Sequence, residues 1–262
     1  MLSNVYLDLI SELLPGILCD DAKNRLSLLF DCIVETNERI NITSLTSPID
    51  VSLKHFADSL SLFLNPLFSK MTERSPRVCD VGCGGGFPGL PLACVRPDLS
   101  LTMIDSTEKK ISALQKNAEH LGLSCVIPVC GRGEDLAGKG GAYRGKYDVC
   151  ISRAVARLPV LLELCLPFLK KGGVFFAMKG VMAQEELNES RRAISTLGAE
   201  LVELHRISFP SIDTTSLSLS KEEHESLSDF ISSSRYLIVV RKKADTPIKF
   251  PRAWAQMKNN PL

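Results

Sequence analysis

The sequence predicts an α/β fold, with a mostly parallel seven-stranded sheet covered by helices and preceded by a helical N-terminal extension. Three observations predict it. From residue 77 onward, apolar runs of strand length alternate with segments of helical spacing, as in strands joined by crossover helices. The first run ends in Asp80 and opens into a turn holding Gly82, Gly84, Gly85 and Gly86. Before residue 70, apolar positions recur at helical spacing instead.

The elements follow in order. Asp20 or Asp21 caps a helix with apolar positions Ala22, Leu26, Leu29, Ile33 and Val34. Ser47-Pro48 reads as a cap followed by a proline in the first helical position, and Ile49, Leu53, Phe56, Leu60 and Phe63 continue the stripe. Strands are expected near 77–81, 100–105, 124–130, 147–152 and 172–179, with helices near 88–96, 108–121, 156–170 and 182–197. Two last strands are expected near 200–209 and 235–241. Between them, residues 211–234 carry nine serines and little apolar periodicity, which predicts a long loop with one short helix. The chain thus divides into a helical extension (1–70), a sheet domain (71–242) and a basic tail (243–262). The residues from Arg241 onward include Lys242, Lys243, Lys249, Arg252 and Lys258, with Phe250 and Trp254 interleaved, a composition that reads equally as a solvated end or as a grip on single-stranded nucleic acid.

Bulk properties exclude several classes. An apolar content of 45% supports a sizeable core, and a net charge of +1 gives no global attraction for nucleic acid. No apolar run is long enough to span a membrane, and the N-terminus lacks the basic start of a signal peptide. The nine cysteines fall largely in apolar runs and form no C-x-x-C pair. They read as core residues of a cytoplasmic, reducing compartment, with no metal site.

The glycine turn suggests a ligand. Strand, glycine turn and helix form a nucleotide cradle beyond the carboxyl end of the strand. The spacing here is Asp80-x-Gly82-x-Gly84-x-Gly86. A dinucleotide fingerprint fits poorly, because Phe87 and Pro88 stiffen the turn meant to wrap a diphosphate. The Asp80 carboxylate repels diphosphate but suits an ammonium or sulfonium group, and S-adenosyl-L-methionine carries both. Asp105 ends the second strand ~20 residues past the turn, where a carboxylate binds a ribose diol. A nicotinamide dinucleotide stays the alternative, and a ligand-free tight turn the plain one.

The stretch Asp80-Val-Gly-Cys-Gly-Gly-Gly-Phe-Pro-Gly-Leu-Pro-Leu92 resembles the first motif of the RsmG (GidB) family. So do Asn41-Ile-Thr43, His55-Phe-Ala-Asp58-Ser59-Leu60, Asp105-Ser106 with Lys109-Lys110, Gly131-Arg132-Gly133-Glu134, Ser152-Arg153-Ala154-Val155-Ala156 and the tail from Thr246. The resemblance covers nearly the whole chain. It implies a class I, Rossmann-like methyltransferase that uses S-adenosyl-L-methionine to make 7-methylguanine in small-subunit (16S) ribosomal RNA. It further implies that Gly82 and Phe87 contact the cofactor, that Gly133 and Glu134 flank its adenine, and that Arg153 lines its site. Gly84 joins them in the glycine turn. Arg132 and Arg235 would face the RNA, and Asp58 would help position it. Two departures stand out. The family loop usually reads Gly-Arg-Ala-Glu where this chain has Gly133, and the 211–234 segment is longer than usual.

Absent motifs narrow the target atom. Exocyclic amines are methylated beside an Asn/Asp-Pro-Pro-aromatic motif, but this chain reads Ile151-Ser-Arg-Ala154 there. Carbon-5 chemistry on pyrimidines needs a nucleophilic cysteine, commonly after proline, and the chain has no Pro-Cys. Guanine N7 has an in-plane lone pair and no proton to lose, so no side chain is needed as catalytic acid or base, and positioning carries the rate. Two alternatives stay open: methylation of a small molecule or protein, and a cofactor-binding regulator without catalysis. His55, one position off its helical stripe, reads equally well as a packing residue.

Overall fold

The computed structural model describes residues 1–213 and 217–262. Seven strands form one sheet: β1 (Arg77–Val81), β2 (Ser100–Asp105), β3 (Val126–Cys130), β4 (Tyr147–Arg153), β5 (Leu169–Lys179), β6 (Ala199–Ile207) and β7 (Arg235–Lys242). Their order is β3-β2-β1-β4-β5-β7-β6. The first five run parallel, while β7 lies antiparallel to both β5 and β6. This is the class I methyltransferase architecture that the resemblance implies. The strand order reverses between β1 and β4, so a crevice opens beyond their carboxyl ends. From Val78 to Val81, β1 is wholly buried, as expected of a central parallel strand covered on both faces.

Each face of the sheet carries its own core. On one face the N-terminal helices Asn4–Leu13 and Asp20–Arg39 bury Leu9, Ile10, Leu13, Leu26, Leu29 and Ile33. These residues share a cluster with Val78, Leu101, Val149, Phe176 and Val239 of the sheet. The N-terminal helices therefore form part of the layer covering the sheet. Each fully buried Leu or Ile contributes about 1.5–3 kcal/mol. On the other face, helix Leu158–Cys165 packs with Tyr147, Phe168, Phe175, Val240, Phe250 and Met257. The last two belong to the C-terminal tail. No helix among the described residues is long and apolar enough to cross a membrane.

Several elements differ from the sequence expectation. The helix expected over 156–170 ends at Cys165, and β5 begins at Leu169, ahead of Gly172 and Gly173. The helix expected over 182–197 breaks at Ser190, whose hydroxyl donates to the Glu186 carbonyl at 2.7 Å instead of leaving the turn undisturbed. In the serine-rich segment, Lys221–Ser232 is a full helix of 12 residues. Its capping box pairs Ser220 with Glu223, and only Leu227 and Phe230 are buried, so serines hid a weak apolar stripe. Part of the expected loop, residues 214–216, lies outside the described residues. Between Val51 and Ala57 the N-terminal chain widens into a π-helical turn, and the Asp58 N–H donates to the Leu53 carbonyl. Such turns often mark functional positions.

Candidate active site

Beyond the carboxyl ends of β1, β2 and β4 lies a cleft of about 530 Å³. Its wall along the glycine turn is backbone. Gly82 and Cys83 donate to the Ile104 carbonyl at 2.8 and 3.0 Å, which ties the turn to β2. Gly82 has φ +76°, and a Cβ there would collide with Val155. Gly84 has φ +54° but faces open space, with the Gly82 carbonyl 3.9 Å away as the nearest atom to an added Cβ. A side chain at Gly84 would thus be strained by φ, and it would occupy room that a ligand can use.

The two carboxylates behave differently. Asp105 lines the cleft and accepts the Gly84 N–H at 3.0 Å on one oxygen and the Thr107 N–H at 2.8 Å on the other. Each oxygen keeps acceptor capacity for a ligand hydroxyl. Asp80 was expected at the ligand, but it is fully buried and is not among the cleft walls. One oxygen accepts the Gly89 N–H at 3.0 Å and the other has no partner. Burial pushes its pKa up to about 7, opposed by the Gly89 N–H and the Arg153 charge. The reason is steric. Asp80 lies one residue inside the end of β1, and its side chain packs under Gly89 and braces the loop from below.

His55 and Phe87 close one side of the cleft as stacked rings, 4.1 Å between centroids and 5° apart in plane. The Arg153 guanidinium lies 5.5 Å from the Phe87 centroid. Burial and the Arg153 charge lower the pKa of His55 to about 4, so its ring is neutral near pH 7. Arg153 has only donors, so its contact to Nδ1 at 3.3 Å assigns the proton to Nε2, which donates to Thr43 Oγ1 at 2.7 Å. Asp58 sits between two arginines. It accepts Arg153 Nη1 at 2.6 Å and Arg235 Nε at 2.9 Å. Arg235 also lies over the Phe230 ring, 3.8 Å from the centroid, and donates to the Phe230 carbonyl. Arg235 was expected to reach out to RNA. It is instead held in this bridge, with its side chain 18% exposed.

A second cavity of about 580 Å³ adjoins the first beyond β4, β5 and β7. Asp58, Lys179, Arg235 and Tyr236 line it, and it shares His55, Arg153 and Ala154 with the cofactor-side cleft. Ala154 has φ +56°, strained for a residue with a Cβ, at the point where the two spaces meet. Arg132 stands at the rim of the first cleft, 64% exposed and 3.7 Å from Glu134. Gly133 lines the cleft as well, and a Cβ there would press on Leu164.

The structure therefore brings Gly82, Gly84, Phe87, Asp105, Arg132, Gly133, Glu134 and Arg153 to one cleft, and Asp58 and Arg235 to its neighbour. Sequence reasoning missed the Thr43–His55 bond, Lys179, Tyr236 and the strain at Ala154. Positive φ at an alanine leaves no signal in residue type. Thr43 and His55 do fall within stretches of family resemblance, which pointed to the region but not to the contact.

The sequence profile of the rRNA small subunit methyltransferase G (GidB) family matches residues 22–212. The chain is similar to the ribosomal RNA small subunit methyltransferase G of Lactobacillus acidophilus, with 39% identity over 94% of this chain and 93% of that one. The Deinococcus radiodurans protein of that name is 42% identical over 86% of this chain and 80% of its own. That of Bacillus subtilis is 40% identical over 90% and 88%. A solved chain from Pyrococcus horikoshii superposes with a TM-score of 0.50 at 14% identity, over 76% of this chain and 66% of that one, and shares the fold alone. With the motifs gathered on one cleft and relatives matching over nearly the full length, the chain belongs to the rRNA small subunit methyltransferase G family.

Proposed function

We propose that the chain transfers the methyl group of S-adenosyl-L-methionine to N7 of a guanine in 16S ribosomal RNA, acting in the cytoplasm on the RNA or on a small-subunit particle. One observation carries this reading: two cavities, one walled by a glycine turn and Asp105, the other by cationic and aromatic side chains, meet at His55, Arg153 and Ala154. The first fits the cofactor. Asp105 offers free lone pairs for ribose hydroxyls, and the space over Gly84 is open. Gly82, Gly84 and Phe87 would border the methionine side, and Gly133 and Glu134 the adenine.

When bound, the cofactor supplies an electrophilic methyl carbon, which the N7 lone pair takes while the carbon–sulfur pair returns to sulfur and no proton is lost. The protein's task is then placement and charge. Arg153 stands at the junction, held by Asp58 and the Lys54 carbonyl, and lines both cavities. The Hoogsteen edge of guanine offers O6 as an acceptor beside N7. A base splayed from a ribosomal loop could stack on Tyr236 and pair through O6 with Arg153, while Lys179 is already held by the Ala156 carbonyl at 2.6 Å and Glu186 at 2.7 Å. Asp58 acts through the arginines by fixing them and neutralising one charge near a sulfonium. Arg132 borders the entrance for RNA, and Arg235, held by Asp58 and Phe230, lines the second cavity. His55, neutral and fully engaged, is a packing and orienting residue.

The test is to incubate the protein with methyl-labelled cofactor and unmodified 16S RNA, small subunits, total cell protein and metabolite extract. Label should enter small-subunit RNA, at a position cleaved by borohydride and aniline, which breaks chains at 7-methylguanosine. The single-turnover rate should be nearly flat from about pH 6 to 9, because no base is used. Label in protein or small molecules, or on another atom, would overturn the reading.

A further inference from the structure

The chain has one tryptophan, Trp254. It is half-buried, begins the short helix Trp254–Asn259, and lines the same cleft as Gly133, Glu134 and Leu164. The segment that carries it is fixed at two points. Arg144 donates to the carbonyls of Ala137 at 2.7 Å, Thr246 at 2.6 Å and Phe250 at 2.7 Å. Arg252 closes on Glu163, with Nε to one carboxylate oxygen at 2.9 Å and Nη2 to the other at 2.6 Å. The Arg252 N–H adds a bond to Glu163 at 2.8 Å. Glu163 is fully buried, and its chain neighbour Leu164 is itself a cleft wall. Phe250 and Met257, on either side of Trp254 in sequence, are buried against the same helix layer. The tail is therefore a strap, and its indole packs half-buried against the same core.

We propose that this strap completes the nucleoside end of the cleft and that Trp254 is a cofactor-binding residue packing against the purine. The inference rests on the adenosylmethionine reading above. The two ends of the cleft differ in chemistry. Around His55, Phe87 and Arg153 it carries charge and opens into the second cavity. Around Gly133, Leu164 and Trp254 it offers an aliphatic side chain and an indole beside the Glu134 carboxylate, a set that suits a heteroaromatic ring bearing an exocyclic amine. An indole on a base gives stacking without regard to sequence or charge, and a preorganised wall avoids most of the ordering cost on binding. The strap lies beyond residue 212, where the family profile stops matching.

A single tryptophan makes the wall directly observable. Titration of the full-length protein with S-adenosylhomocysteine should change tryptophan emission in step with calorimetric binding. Adenosine alone should reproduce the change, and methionine alone should not. Trp254→Ala should weaken S-adenosylhomocysteine binding by about 10- to 100-fold, and Trp254→Phe should keep affinity within about 3-fold, because stacking needs only a ring. Calorimetric binding with silent tryptophan emission would overturn the inference while leaving the cofactor reading intact. So would Trp254→Ala losing RNA affinity with nucleoside affinity unchanged, which would make the strap an RNA contact. A response to methionine but not adenosine would place the residue at the wrong end. No calorimetric binding by the unmutated protein would sink the cofactor reading and this inference together.

Discussion

The glycine turn after β1 and the C-terminal strap wall the same cleft by different means. The turn is built locally. Gly82, Gly84 and Gly86 hold positive φ, and neighbouring backbone groups close it. Its anchors outside the turn, the Ile104 carbonyl and the Asp105 carboxylate, lie on the next strand in the chain. The strap is built at long range, with Arg252 reaching Glu163 across 89 positions and Arg144 reaching Thr246 and Phe250 across 102 and 106. Its basic residues were expected to grip RNA, but several already have partners inside the protein. Lys242 is buried and donates to the Leu169 carbonyl at 2.8 Å, and burial lowers its pKa to about 8. Lys243 pairs with Glu200 at 3.2 Å, and Phe250 is only 3% exposed. A motif that acts through backbone conformation keeps its meaning wherever it folds. A run of charge and aromatics takes its meaning from whatever it packs against.

The sharpest way to break this contrast is at the turn. Gly84→Val combines a strained positive φ with a branched side chain in ligand space, and should weaken calorimetric S-adenosylhomocysteine binding by 100-fold or more, about 3 kcal/mol, with far-UV dichroism unchanged. Normal affinity would show that the turn does not meet the ligand. At the strap, Arg252→Ala leaves Glu163 buried without its partner and should lower unfolding stability by about 3 kcal/mol, read by urea denaturation. A change under about 0.5 kcal/mol would mean that the tail is not docked in solution. Asp105→Ala removes one acceptor from the turn and should cost about 1–3 kcal/mol in cofactor affinity.

Asp80 tests the layer beneath the turn. Its pKa is raised in the folded state, so the native protein holds this proton more tightly than the unfolded chain. Its contribution therefore destabilises as pH rises from about 4 to 7 and levels off above that. Asp80→Asn should remove that loss, gaining on the order of 1–3 kcal/mol relative to the parent at pH 8 compared with pH 4 in ligand-free urea melts. An equal effect at both pH values would mean that Asp80 titrates normally. The smallest effect concerns salt. Each phosphate contact contributes about 0.7–0.9 to the slope of log K against log salt, so Lys249→Ala with Lys258→Ala should flatten it by less than about 0.5. A drop of about 1.4–1.8, the value for two contacts, would restore the tail as an RNA grip.

Much of the sheet was legible because its signals are local. The alternation from Arg77 to Lys179 located β1 to β5 closely, and the stripe from Ala22 to Ile33 is the buried face of its helix. The helix Lys221–Ser232 was read as at most a short element, because serines diluted a stripe with only two buried positions, and its Ser220–Glu223 capping box was the signal to read. In the site, the residues of the glycine turn line the cleft, whereas the direction of a side chain was not legible. Asp105 ends β2 and borders the cleft, while Asp80 lies one residue inside the end of β1 and is buried under the turn.

The sequence by itself determined the strand–turn–helix grammar, the family motifs and the side of the sheet on which the cleft opens, because period, glycine content and strand direction are properties of neighbouring residues. Only the tertiary structure decided which groups face the cleft and which are already satisfied. Asp58 lies 95 and 177 positions from the arginines it joins, and Arg252 lies 89 from its carboxylate. Pairings across such separations depend on how the layers pack on the sheet, and a charge cannot be assigned to a ligand until the partners inside the protein are known.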